Sequence, residues 1–167
     1  MIEMKVTGIA LEAASRSPIV LLRDGAERRA LPIWISQDQA RAILAMLEGQ
    51  KPVRPLTHDL MATCFEAWDV GLDRVVIHTL RDGTFFAFIR LRQGEREQEI
   101  DARPSDAIAL ALRMDAPIWV AEEVMAEASI PVDMAADEAE RRAFREFLSD
   151  INPADLIQRH RPEEGGN

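Results

Sequence analysis

A chain of 167 residues with 47% hydrophobic content suits one domain with a real core, and no stretch approaches the run of about twenty apolar residues that a membrane helix needs. Its single cysteine, Cys64, excludes an internal disulfide, and an N-terminus that alternates charged and apolar residues does not read as a signal peptide, so a reducing cytoplasm is the expected location. The formal charge of −9 argues against tight, salt-sensitive nucleic-acid binding, although residues 121–167 carry 12 acids and 5 bases of it and the preceding body only 17 and 15.

In chain order, Ile2, Met4 and Val6 alternate with Glu3, Lys5 and Thr7, which predicts a strand over 2–12 with one wet face. Ser15–Pro18 turns the chain into a second strand at 19–22, and Arg23-Asp24-Gly25 is a hairpin signal. A third strand spans 30–35, where Pro32 hints at an edge or a bulge. Ser36 then caps a helix to about Leu47, whose Ala40, Ile43, Leu44 and Leu47 form a buried face, and Gly49 stops it. After a proline-bearing loop with Lys51 and Arg54, Thr57 reads as the cap of a second helix to about Trp68. Cys64 falls in it among Leu60, Met61 and Phe65 and is expected as buried filler.

Strands follow at 74–80, 84–91 and 95–101, with Asp82-Gly83 and Gln93-Gly94 as hairpin turns. A central helix at 104–114, a short buried strand at 117–120 and a small helix at 121–128 come next. The remainder reads as a loop at 133–137, a charged helix at 138–149 and a last short helix from Pro153. Three strands and a helix thus occur twice at an offset of about 65 residues, placing Ile35 on Ile100 and Ala42-Ile43 on Ala107-Ile108. The expected fold is α+β: a mixed, largely antiparallel sheet with the 36–47, 57–68 and 104–114 helices packed on it, open to an internal strand-strand-strand-helix duplication.

The chemistry concentrates where the strand ending at Ile100 meets the central helix. Pro104 suits the first helical position because its missing N–H would have no intrahelical partner there. Ser105 and Asp106 fall in the first turn, where unpaired N–H groups favour oxygen and negative charge. Asp101 and Asp106 therefore bracket the junction with Arg103 between them. Two carboxylates and a guanidinium can hold a metal ion or a phosphate. They can equally cap a helix and close a surface ion pair. His58 and Asp59 carry the same alternatives, capping and surface exposure against a place in a site.

The run Asp101-Ala-Arg-Pro-Ser-Asp-Ala-Ile-Ala-Leu-Ala111 resembles the signature of the bifunctional nuclease family of bacteria and plants. Leu31-Pro-Ile-Trp-Ile35, Arg54-Pro-Leu-Thr-His-Asp-Leu60 and Pro117-Ile-Trp-Val-Ala-Glu-Glu-Val124 match it in the same order. The likeness covers roughly residues 1 to 130 and leaves 131–167 as an acidic C-terminal helical extension. It implies cleavage of both DNA and RNA.

Phosphodiester cleavage needs charge on the phosphate and something to activate water, and carboxylate-held Mg²⁺ or Mn²⁺ supplies both. Asp101, Asp106, Asp59 and Glu122 are the candidate ligands. Arg103 and Arg54 are candidates for the phosphate, with Ser105 beside them, and His58 for acid–base work. The alternative is a non-catalytic, dimeric regulatory or ligand-binding module, favoured by the acidic balance and the lack of a basic patch. A serine hydrolase is disfavoured, because Ser105 lacks the glycine-flanked elbow such a nucleophile uses. Trp34, Trp119 and the Phe85–Phe88 run offer apolar surface that a homodimer would bury.

Overall fold

A computed structural model describes residues 1–132, except Glu27 and Lys51. The elements are β1 (Ile2–Leu11), β2 (Pro18–Asp24), β3 (Arg29–Trp34), α1 (Gln37–Leu47), α2 (Thr57–Ala67), β4 (Gly71–Arg81), β5 (Thr84–Gln93), β6 (Arg96–Ala102), α3 (Pro104–Met114), β7 (Ile118–Val120), α4 (Glu122–Ala128) and β8 (Ile130–Pro131). The described residues form one compact unit, Met1–Val132. The helices expected at 138–149 and from Pro153 lie outside the described residues, as does the acidic extension expected at 131–167 apart from Pro131 and Val132.

All eight strands join one sheet in the order β6-β5-β4-β7-β1-β2-β3-β8. Every neighbouring pair is antiparallel except β4 with β7. The fold is therefore α+β with a mixed, mostly antiparallel sheet, as the hairpin-spaced strands require. Two three-strand meanders, β1-β2-β3 and β4-β5-β6, flank the short β7, and each hands the chain directly to a helix. The strand-strand-strand-helix order that the sequence repeats is thus repeated in space.

Alternation decides which face of the sheet is dry. Val20, Leu22, Leu31, Ile33, Val75, Ile77, Ala87 and Ile89 are buried in one apolar cluster with the helices. In α3 that cluster takes in Ala107, Ile108, Ala109, Leu110 and Ala111, so the helix is apolar nearly all round. Such a helix belongs inside, between layers. It lies against β4 and β5 on one side and against α1 and α2 on the other. Its alanines carry no bulk that would keep those neighbours at a distance.

Pro32 stands where β3 is paired on one side only, opposite Leu21 of β2, because β8 reaches only Arg29 and Ala30. A residue without an N–H costs nothing on such an edge. The two-residue β8 itself left no sequence signal. Helix α2 departs further from expectation. It packs chiefly on α3, and only Ala62 of its eleven residues is buried. Cys64, expected as filler, is exposed. The apolar residues around it gave the wrong inference, since Leu60 and Met61 are exposed as well. Leu56 rather than Thr57 is the cap of α2. Trp34 and Phe86, two of the residues expected to be covered in a dimer, stand exposed on the single chain.

Because α3 is packed on all sides, truncating its most enclosed large side chain leaves a void. Ile108→Ala is expected to lower unfolding stability by about 2–5 kcal/mol, read as a shifted urea midpoint. Val53→Ala, at a fully exposed loop position, is expected to stay within about 0.5 kcal/mol of wild type. Equal losses in the two would contradict the burial of α3.

Candidate functional site

Three helices begin with a polar residue at the third helical position, and two of them use it alike. In α1 the Gln39 side chain accepts a hydrogen bond from the Ser36 N–H at 2.8 Å, while Ser36 Oγ accepts from the Gln39 N–H. In α2 the Asp59 carboxylate accepts from the Leu56 N–H at 2.8 Å. Both reach back to satisfy a donor that the first turn leaves open. Asp106, the corresponding residue of α3, does not. Its Oδ1 lies 3.0 Å from His58 Nε2 and its Oδ2 takes Arg103 Nε at 2.6 Å. A carboxylate that forgoes the backbone bond for two side chains, that of its own cap residue Arg103 and that of His58 48 positions away, departs from the pattern its neighbours follow, and such departures are expected at sites of function.

The electrostatics follow from that geometry. Burial works to raise the Asp106 pKa, but the hydrogen bonds from Arg103 and His58, together with their charges, outweigh it and hold the group below the usual aspartate value. Asp106 is therefore ionised at neutral pH and can only accept. The proton between it and His58 must then sit on Nε2. In the neutral ring this leaves the lone pair on Nδ1, which has no hydrogen-bond partner among the described residues. The imidazole is 16% exposed, enough for water to reach it.

Arg103 is 69% exposed. Its Nε is committed to Asp106, and that bond raises its own already high pKa. Its two terminal nitrogens are unengaged among the described residues. They form the fork that suits a phosphate.

A second pair lies alongside. Asp59 Oδ1 accepts from Arg113 Nε at 2.5 Å, and Arg113 Nη1 donates to the carbonyls of Ala42 at 3.0 Å and Ala109 at 2.9 Å. The Arg113 side chain is only 4% exposed. Burial pushes Asp59 upward, and the Leu56 N–H, the Arg113 hydrogen bond and nearby positive charge more than reverse it. Arg113 was not singled out from the sequence. The available signal was an arginine seven residues beyond Asp106 on an otherwise apolar helix. That spacing puts both on one stripe, about 10 Å apart along the axis.

Of the remaining expected residues, Asp101 makes no hydrogen bond or ion pair with these side chains. It pairs with Phe88 across β5 and β6, whereas Ala102 pairs with the buried Ala87. Directly opposed residues share a face and successive ones alternate. Asp101 thus lies on the face of the sheet away from α3, with Phe88 and the His78 ring that Phe88 meets at 5.5 Å. Glu122 holds the Met1 ammonium at 2.7 Å at the start of α4, which follows β7. Strand β7 stands three strand spacings from β6, or about 14 Å. Ser105 is buried at the start of α3, with no bond to His58 or Asp106. Arg54 is exposed in the loop entering α2 and makes no ion pair among the described residues.

The four acids expected to hold a divalent ion are consequently not gathered. No group of three or more histidine, cysteine, aspartate or glutamate side chains suited to a metal exists among the described residues. Both oxygens of Asp106 and both of Asp59 already accept from nitrogen donors. The donor set at this junction, as arranged, does not fit Mg²⁺ or Mn²⁺, which would have to displace an arginine.

Comparison with known proteins places the chain. Residues 20–133 match the model of the bifunctional nuclease domain. Two uncharacterized proteins, from two strains of Mycobacterium tuberculosis, are each 39% identical to it over 162 residues. The match spans 92% of this chain and 97% of each relative. All the residues of the two acid–base pairs fall within the matched segment.

The depressed carboxylates give the fold an acid limit. A group whose folded pKa lies below its unfolded value contributes stability that is complete above the unfolded value, about 3.9, and is lost as pH falls through the folded one. Asp59 and Asp106 both have this sign. Chemical unfolding at stepped pH is expected to show stability falling from about pH 4 downward. Asp59→Asn and Asp106→Asn should each flatten that limb while lowering the plateau above it. An acid limb as steep as wild type in both variants would contradict the assignment.

Proposed function

We propose that this chain, which belongs to the bifunctional nuclease domain family, cleaves phosphodiester bonds with His58 as its general base and Arg103 as its phosphate-binding group. The observation that carries the proposal is the ionised Asp106 bonded to both. A carboxylate behind one imidazole nitrogen fixes the tautomer and stabilises the imidazolium that forms when the other nitrogen takes a proton.

In this reading the scissile phosphate sits on the free edge of the Arg103 guanidinium, and the exposed Arg54 of the loop entering α2 is a second candidate for the same anion. His58 Nδ1 removes a proton from water. The hydroxide oxygen bonds to phosphorus, the bond to the leaving oxygen breaks, and the imidazolium returns its proton to that oxygen. Arg103 faces the negative charge that builds on the phosphoryl oxygens. A nucleophile drawn from water needs no 2′-hydroxyl, so the same device serves DNA and RNA. With one exposed fork and a near-neutral body, binding is weak and salt-tolerant compared with that of a basic protein.

The divalent ion expected from the chemistry of nucleases has no place in these steps, since the carboxylates that would hold it are occupied by arginine and histidine. Purified protein is expected to degrade single-stranded DNA and RNA in EDTA as well as in Mg²⁺ or Mn²⁺. His58→Gln, Asp106→Asn and Arg103→Ala should each lower the rate by about 10²–10⁴-fold while remaining folded. Asp101→Asn, on the opposite face of the sheet, should keep wild-type activity. Complete loss of activity in EDTA, restored by Mn²⁺, would overturn the metal-free route. Absence of cleavage under every metal condition would leave the dimeric regulatory module as the function of this junction.

A further inference from the structure

Helix α2 carries the base, yet its apolar hold on the molecule is slight: Ala62 is its one buried residue and Phe65 packs half-buried against the core. Two apolar contacts leave the rotation of its first turn to be set by other bonds, and the polar bonds between α2 and α3 supply them. Asp59 follows His58 directly, so fixing one sets the rotation of the other, about 100° away round the same helix. The Asp59 carboxylate is held twice, by the Leu56 N–H within its own turn and by Arg113 from α3. Arg113 is in turn held by two backbone carbonyls, Ala42 of α1 and Ala109 of α3. It is almost fully enclosed, which leaves the guanidinium little freedom to move.

We infer that Arg113 is the positioning residue of the proposed active site: through Asp59 it sets the phase of the first turn of α2 and so keeps His58 Nε2 on Asp106. The inference rests on the reading of His58 as the base, but its geometry is independent of it. Asp106 and Arg113 lie two turns apart on one stripe of α3, and Arg113 bonds Ala109 on the way back toward the helix start. The two ends of this stripe grip consecutive residues of α2, Asp106 taking His58 and Arg113 taking Asp59. One bond alone would let α2 roll about its axis. Two bonds to neighbouring residues from points two turns apart do not. Between them on the stripe lie Ala109 and Leu110, both buried, and the small Ala109 leaves its carbonyl open to Arg113.

A purely structural arginine would make a different forecast. Its loss would lower the melting temperature and leave the His58–Asp106 bond as it was in the molecules still folded. The test therefore reads the bond itself in full-length protein. Nitrogen-15 NMR of the imidazoles reports which ring nitrogen of His58 carries the proton, whether or not the protein cuts anything. Wild type should show a single tautomer with the proton on Nε2. Arg113→Lys keeps a positive charge but not the fork, and Asp59→Asn keeps one acceptor oxygen. Both should show a mixture of tautomers at temperatures where circular dichroism shows them folded. Where cleavage is measured in parallel, kcat should fall by about 10²-fold, the scale of a misplacement near 1 Å, with KM little changed. Leu31→Ala, in the core under the other meander, provides the destabilised control. It should lower the melting temperature and leave the His58 signal as in wild type.

An unchanged single tautomer in folded Arg113→Lys and Asp59→Asn would overturn the inference. So would a mixture in Leu31→Ala as large as theirs, which would make the effect one of stability. Failure of the nuclease reading looks different: tautomers shift as described, but wild type shows no cleavage, or His58→Gln cleaves at the wild-type rate.

Discussion

The site depends on one carboxylate kept ionised where it is more than two-thirds covered by protein. Asp106 has a side-chain exposure of 29%, and an unpaired charge at that depth would sooner take up a proton than persist. Arg103 and His58 reverse that preference from two sides. The dependence is mutual. Without the charge, Nε2 has no reason to keep the proton and Nδ1 loses its role. Without Arg103, the carboxylate has no cation at fixed distance and the proposed mechanism has no fork for the phosphate. In the proposed mechanism the same three side chains therefore set the protonation of the base and the place of the substrate.

The fold delivers this arrangement through the edge at which β6 ends. Strand β6 stops at Ala102, Arg103 leaves in an extended conformation and Pro104 opens α3 at once. The interval between a sheet edge and a buried helix is thus a single residue, and Asp106 inherits the rigidity of the core. Alanine is what lets α3 serve as that base plate: Ala107, Ala109 and Ala111 are each buried to within 2%. Helix α2 is the opposite case. It contributes a site histidine while burying almost nothing. The order of its first turn therefore leans on charged hydrogen bonds, which respond to pH and salt.

The contrast explains what the sequence disclosed. Strands announced themselves because alternation and glycine-bearing turns are local, and Asp82, Gly83 and Gly94 sit where the chain reverses with positive φ. The start of α3 was legible from Pro104 and the alanine-rich stripe for the same reason. Membership of a family was legible from four short blocks. What stayed hidden was every fact that joins distant segments. His58 and Asp106 lie 48 positions apart, and Asp59 and Arg113 lie 54 apart. Asp101 pairs with Phe88 on the face opposite Ala102, and its strand pattern alone did not show that face. Asp106 was read as a helix cap in one alternative, and only its failure to reach back shows otherwise. Cys64 was misjudged because α2 has an apolar surface without an interior to put it in.

The most direct measurement is neutron diffraction from deuterium-exchanged crystals of the wild-type protein, held on the alkaline side of the ordinary histidine range. Density for a deuteron on His58 Nε2, directed at an unprotonated Asp106, with Nδ1 bare and facing solvent, is the result expected if the pair is a general base. A deuteron on the Asp106 carboxylate, or on Nδ1 in place of Nε2, would contradict it.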